Sequence, residues 1–126
     1  TILAVDDDAA IVSLIQMTLE GAGFPVRGTT DPHQALGLYR DNWPKIALVI
    51  TDFRMPGMQG DRLCEHLRAI NPNVNVVLIT SWISSEVVEL ARQPRVDLVL
   101  KPFDLRELVQ RVSARIQSQP RGTSTP

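Results

Sequence analysis

Short apolar runs alternate with amphipathic stretches along this chain. Five runs read as strands: Ile2 to Val5, Pro25 to Gly28, Ile46 to Thr51, Val74 to Thr80 and Val96 to Leu100. Ile46 to Thr51 is apolar on both alternating faces, as a central parallel strand should be. Pro25 to Gly28 is the weakest. The stretches between carry helical spacing. After Asp8, an N-cap by type, apolar or small residues recur at Ile11, Leu14, Ile15, Thr18, Leu19 and Ala22. Gly21 and Gly23 end that helix. Asp31-Pro32 pairs an N-cap with a first-turn proline, ahead of Ala35, Leu36 and Tyr39, and Asn42-Trp43-Pro44 stops the helix. Leu63, Leu67 and Ile70 mark a third helix, entered through a loop holding Pro56, Gly57 and Gly60 and closed by Asn71-Pro72. Ser84 or Ser85 caps a fourth, with Val87, Val88 and Ala91, ending at Gln93-Pro94. Asp104 caps a fifth, whose apolar face is Leu105, Leu108, Val109, Val112 and Ile116. From Gln117 the chain turns polar, with Pro120, Gly122 and Pro126. Residues 1–117 are therefore expected to fold as one domain and residues 118–126 to form a polar tail or linker.

Strands that alternate with helices predict parallel pairing through right-handed crossovers. The expected fold is α/β, a doubly wound five-stranded parallel sheet in strand order 2-1-3-4-5. Its 126 residues suffice for one core. A net charge of −1 gives no general case for direct nucleic-acid binding or for an anionic membrane surface. No apolar stretch approaches the length of a membrane span. One cysteine, Cys64, excludes an internal disulfide and fits a reducing, cytoplasmic setting. The chain opens without methionine and without a basic-then-apolar leader, which fits a piece of a longer protein.

The informative residues stand where strands end. Asp6 and Asp7 follow the first run, Asp52 the third, Thr80-Ser81 the fourth and Lys101-Pro102 the fifth. In an open α/β sheet those ends share one edge, where ligands bind. Three carboxylates there repel, so a divalent metal or a lysine should hold them together. An Asp nucleophile, a magnesium site and cationic and hydroxyl donors make a set suited to phosphoryl transfer. Asp7 and Asp52 would supply direct carboxylate ligands to Mg2+. Asp6 would act through water, with a main-chain carbonyl of the Phe53-Arg54 stretch beside them.

At this point the chain resembles the receiver domains of two-component signalling. The resemblance rests on Val5-Asp6-Asp7-Asp8, on Thr51-Asp52-Phe53-Arg54-Met55-Pro56-Gly57-Met58-Gln59-Gly60, on Thr80-Ser81 and on Lys101-Pro102-Phe103, in the family's order and near its spacing. It spans about residues 2 to 117. It implies a flavodoxin-like fold in a response regulator or phosphorelay. Asp52 would accept a phosphoryl group from the phosphohistidine of a sensor histidine kinase or phosphotransfer domain. Asp6 and Asp7 would bind magnesium, Lys101 would pair with Asp52 or the phosphoryl group, and Thr80 would bond a phosphoryl oxygen. Lys101-Pro102 would be a cis peptide. The output surface would be the fourth helix, fifth strand and fifth helix, open to homodimerisation, with an unknown downstream effector.

Three features depart from the family pattern. Leu98 stands where an aromatic residue usually partners the threonine, Gln93-Pro94-Arg95 replaces the usual small residues before the fifth strand, and the fourth helix is expected to be short or irregular. Trp82 and Arg54 lie two residues past Thr80 and Asp52, at positions that flank the phosphoryl group; Trp82 is expected to slow its hydrolysis. Two alternatives stay open. One is a degenerate receiver that binds partners without modification. The other is a magnesium phosphatase of the haloacid-dehalogenase type, which needs an acid where this chain has Arg54. His33 and His66 are expected on the surface, Cys64 in the core, Trp43 against a loop, and Arg92, Arg95, Arg106, Arg111 and Arg115 on solvated faces.

Overall fold

A computed structural model describes residues 1–117; the expected polar tail, 118–126, lies outside the described residues. The elements alternate throughout: β1 (Ile2–Val5), α1 (Ala9–Gly21), β2 (Val26–Thr29), α2 (Pro32–Asn42), a 3-10 turn (Trp43–Lys45), β3 (Leu48–Asp52), α3 (Gly60–Ile70), β4 (Val76–Thr80), α4 (Ser85–Ala91), β5 (Val96–Leu100) and α5 (Leu105–Gln117). The strands form one parallel sheet in the order β2-β1-β3-β4-β5. This is the expected doubly wound topology.

Successive strand residues point to opposite faces, and this sorts the core into two layers. Leu3, Val5, Val49, Phe53, Val76 and Leu78 meet α2, α3 and α4 through Tyr39, Leu63, Leu67, Val87 and Leu90. Ile2, Ala4, Leu48, Ile50, Val77, Ile79 and Val99 meet α1 and α5 through Ile15, Leu19, Leu108 and Val112.

Local chemistry sets most boundaries. Asp8, Asp31, Ser84 and Asp104 each accept a main-chain N–H in the first turn of the helix that follows. At the end of α1, Gly23 takes φ +97°, Gly23 N–H donates to Glu20 O and Phe24 N–H to Leu19 O. This left-handed exit favours glycine.

Several expectations shift in detail. The ladder of β3 begins at Leu48 and takes in Asp52, and that of β4 begins at Val76. Ile46 and Ala47 follow the 3-10 turn, and Val74 and Asn75 precede β4, with Asn75 O accepting Val49 N–H at 2.9 Å. In α1 the buried stripe is Val12, Ile15 and Leu19, while Leu14 is 39% exposed and Ala22 serves as the C-cap. Val88 and Leu105, expected on apolar faces, are exposed as well. α4 has only seven residues and ends at Ala91. Cys64 is buried, and burial pushes its thiol up to about 12. His33 and His66 are exposed. Arg115 departs from a solvated face: it makes a two-pronged pair with Asp97 of β5 at 2.9 and 3.0 Å.

Candidate functional site

The site is built from chain reversals at one sheet edge. The register sets Val5 beside Thr51 and Thr80 beside Leu100, so β1, β3, β4 and β5 end at nearly one level. Asp6 and Asp7 just past β1, Asp52 at the end of β3 and Lys101 just past β5 therefore converge from three separate strands. Carboxylate oxygens of Asp6, Asp7 and Asp52 lie within 4.8 Å of one another. Lys101 Nζ donates to Asp6 Oδ2 at 2.8 Å and stands 3.5 Å from Asp52 Oδ1. The Lys101-Pro102 peptide is cis.

The two buried acids are held by main chain as well. Asp8 N–H donates to Asp6 Oδ1 at 2.9 Å, and Phe53 N–H donates to Asp52 Oδ1 at 2.9 Å. Asp6 and Asp52 are buried, while Asp7 is exposed at the mouth. Burial raises the Asp52 carboxyl to about 6, helped by the negative charges of Asp6 and Asp7 and opposed by Lys101 and the Phe53 N–H. Burial alone would lower the Lys101 ammonium. The hydrogen bond to Asp6 and the charges of Asp52 and Asp6 outweigh it and hold the group above its ordinary range. The four side chains thus sum to three negative charges against one positive, in a partly desolvated pocket. Such an arrangement favours a further cation.

Two features had weak or no signal in the sequence. Gly60 opens α3 so close to the strand end that a Cβ there would meet Asp52 O at 2.7 Å and Phe53 Cα at 3.0 Å. Its N–H donates to Phe53 O at 2.7 Å and fixes the loop that returns from Asp52. Glycine here reflects close approach of main chain, legible only as one more glycine in a turn. The second concerns Thr80. Its side chain is buried, and its hydroxyl donates to Trp82 O at 3.1 Å and accepts from Trp82 N–H at 3.3 Å. Thr80 thus stands at the same edge with its hydroxyl turned to its own loop. The Arg54 side chain is exposed, and Trp82 is 64% exposed beside Ile83. Leu98 packs against the layer that holds α4.

Comparisons with known proteins agree with this geometry. A family model described as "Response regulator receiver domain" matches residues 2–113. The DNA-binding response regulator MtrA of Mycobacterium tuberculosis (strain ATCC 25618 / H37Rv) is 38% identical over 117 residues, covering 92% of this chain and 50% of that protein. The transcriptional regulatory protein ZraR of Salmonella typhimurium is 32% identical over 108 residues, covering 85% of this chain and 24% of that one. The chain spans about half the length of the MtrA relatives. A receiver domain from Clostridium thermocellum superposes with TM-score 0.86 at 26% identity, covering 92% of this chain and 93% of that one. The receiver domain of the hybrid histidine kinase CckA superposes with TM-score 0.79 at 28% identity, covering 92% and 98%. Among the described residues no helix is long and apolar enough to cross a membrane. With the 2-1-3-4-5 sheet, an acidic edge pinned by a lysine and a family match along nearly its whole length, this chain belongs to the response regulator receiver domains of two-component systems.

Proposed function

We propose that Asp52 is the phosphoacceptor of this receiver and that Asp6, Asp7 and Asp52 hold a magnesium ion beside it. The observation that carries the reading is the double approach of Lys101 Nζ to Asp6 and Asp52 across three carboxylates within 4.8 Å. An all-oxygen donor set with surplus negative charge and one exposed side suits a hard divalent ion that keeps several waters. Phe53 O already accepts from Gly60 N–H, so Arg54 O is the main-chain carbonyl suited to complete the set. When bound, Mg2+ neutralises charge on the phosphoryl oxygens.

The donor is the phosphohistidine of a sensor histidine kinase or phosphotransfer domain, in the cytoplasm. Near neutral pH, above its value of about 6, Asp52 is mostly in the nucleophilic carboxylate form. Oδ1 takes the Phe53 N–H and faces Lys101, so Oδ2 is the oxygen that attacks. A bond forms from Oδ2 to phosphorus in line with the P–N bond, which breaks and leaves its electron pair on the imidazole. Lys101 remains to offset charge on the transferred group, and Thr80 turns its hydroxyl toward a phosphoryl oxygen. Water later attacks phosphorus, releases inorganic phosphate and restores the carboxylate.

Incubation with Mg2+ and acetyl phosphate, read by intact mass, tests the reading. Wild type gains one phosphoryl group and Asp52→Asn gains none. Steady hydrolysis of phosphate esters would point to the phosphatase alternative. An unmodified wild type would leave a partner-binding module.

A further inference from the structure

α4 is anchored differently at its two ends. At its start, Ser84 Oγ accepts Val87 N–H at 3.2 Å within the same segment. The preceding loop is tied back by the Thr80 hydroxyl, which bonds both main-chain groups of Trp82. At its end, a side chain from another helix takes over. Arg68, in the last turn of α3, donates through Nη1 to Gln93 Oε1 and through Nη2 to Pro94 O at 2.8 Å. Arg95 follows in the left-handed region at φ 67°, and its carbonyl accepts Val76 N–H at 2.9 Å. The turn from α4 into β5 is therefore held by α3 and β4 together.

The two anchors respond differently to chemistry at Asp52. A threonine hydroxyl has one hydrogen to give. Once it donates to a phosphoryl oxygen, its bond to Trp82 O is lost. Nothing at Asp52 competes for the Arg68 bonds. Leu98 has neither ring nor hydroxyl to follow Thr80, so the displacement passes into the main chain of residues 81–84.

We propose that Arg68 is the fixed pivot of α4, so that phosphorylation moves the Trp82–Val88 end of the helix while the Gln93–Pro94 end stays in place. This rests on the phosphoacceptor reading of Asp52. It assigns Arg68 as a positioning residue for the output, a role separate from the acidic site.

Amide hydrogen exchange on the full chain tests it, with intact mass recorded on the same samples. Without phosphorylation, Arg68→Ala should raise exchange at the hydrogen-bonded Arg92 and Gln93 amides at least about fivefold and leave Trp82 to Val88 within about twofold. Gln93→Ala, an exposed change that spares the Pro94 bond, should raise the same amides by less, and it carries the test if Arg68→Ala fails to fold. Unchanged exchange at Arg92 and Gln93 in these variants overturns the proposal. In phosphorylated wild type the change should be confined to residues 81–88, and in phosphorylated Arg68→Ala it should spread to Arg92 and Gln93. Equal change at both ends of wild-type α4 also overturns it. If intact mass shows no phosphoryl adduct, the reading of Asp52 fails, and exchange in the unphosphorylated variants still decides whether Arg68 anchors the turn.

Discussion

Two clusters of charge in this molecule have opposite designs. On β5 and α5, one carboxylate meets one guanidinium: Arg115 grips Asp97 with two bonds, and both side chains are about three-quarters buried, at 22% and 24% exposure. Charges balance and geometry is bidentate, the arrangement in which an ion pair supports structure. At the carboxyl edge, three carboxylates share one ammonium, and burial, with the negative charges of Asp6 and Asp7, raises Asp52 to about 6 against the pull of Lys101 and the Phe53 N–H. The second cluster is unsatisfied by the protein alone. The difference separates an ion pair that holds elements together from a cluster with excess negative charge, although both read in the sequence as acids and bases on strands and helices.

Removing the single cation from the unbalanced cluster should have the largest effect. Lys101→Met leaves Asp6 and Asp52 buried without their counter-charge. Breaking such a pair is costly, and Lys101 is only 20% exposed, so a loss of about 2 kcal/mol at pH 7.5 is expected in urea unfolding without divalent ions. The Lys101 pKa is raised on folding. Its contribution is therefore complete below the ordinary value of 10.5 and fades as pH climbs through the folded value. The deficit of the variant should shrink toward high pH for that reason, and toward pH 5 as Asp52 takes up a proton. A deficit that stays constant as pH falls from 7.5 to 5 would mean that Lys101 acts through packing rather than charge.

In the balanced cluster, Asp97→Asn keeps shape and removes one charge. The expected loss is about 1.5 kcal/mol, since two charge-assisted bonds weaken in a partly solvated place. Adding millimolar Mg2+ should stabilise this variant as much as it stabilises wild type, because the pair stands apart from the acidic edge. Lys101→Met should respond more strongly, having gained uncompensated charge. A variant at Asp97 that lost its Mg2+ response would collapse the distinction between the two clusters.

How much of this was legible in the chain depends on the range of the interaction. Asp6, Asp52, Thr80 and Lys101 could be read because each follows an apolar run, and a parallel sheet gathers run ends at one edge. Caps were readable for a similar reason: Asp8, Asp31 and Asp104 act on N–H groups two residues away. Periodicity marks helices but leaves the exact arc of contact open, so Leu14, Val88 and Leu105 fit an inward stripe by spacing and are exposed in the fold. Pairings between distant side chains have no local signature. Arg68 with Pro94, and Arg115 with Asp97, look like solvated arginines until tertiary packing brings their partners near. Gly60 was visible as a turn residue, while the reason for it, the Asp52 carbonyl in the space a Cβ would take, appears only in three dimensions.

The smallest effect has the opposite sign and is the most diagnostic. Asp52→Asn removes a charge that folding penalises. The wild-type carboxyl has a folded value of about 6 against an ordinary 3.8, so between those values the folded state holds more proton than the unfolded chain. Wild-type stability therefore falls as pH rises through this window, and the penalty is complete above it. Asparagine has no such step. In metal-free buffer at pH 7.5 the variant should be more stable than wild type by about 1 kcal/mol. That figure sets the lost Lys101 contact against the roughly 1.4 kcal/mol that each unit of raised pKa represents. The advantage should dwindle as pH is lowered from 6.5 toward 4. It should dwindle again at pH 7.5 when Mg2+ is added, because a bound cation removes the wild-type penalty and stabilises a folded state that binds it. Thermal unfolding in the four combinations of protein and metal measures this directly. If Asp52→Asn is less stable than wild type in metal-free buffer at pH 7.5, Asp52 behaves like Asp97, a satisfied partner in a structural pair, and the carboxyl edge is not a charge excess waiting for a cation.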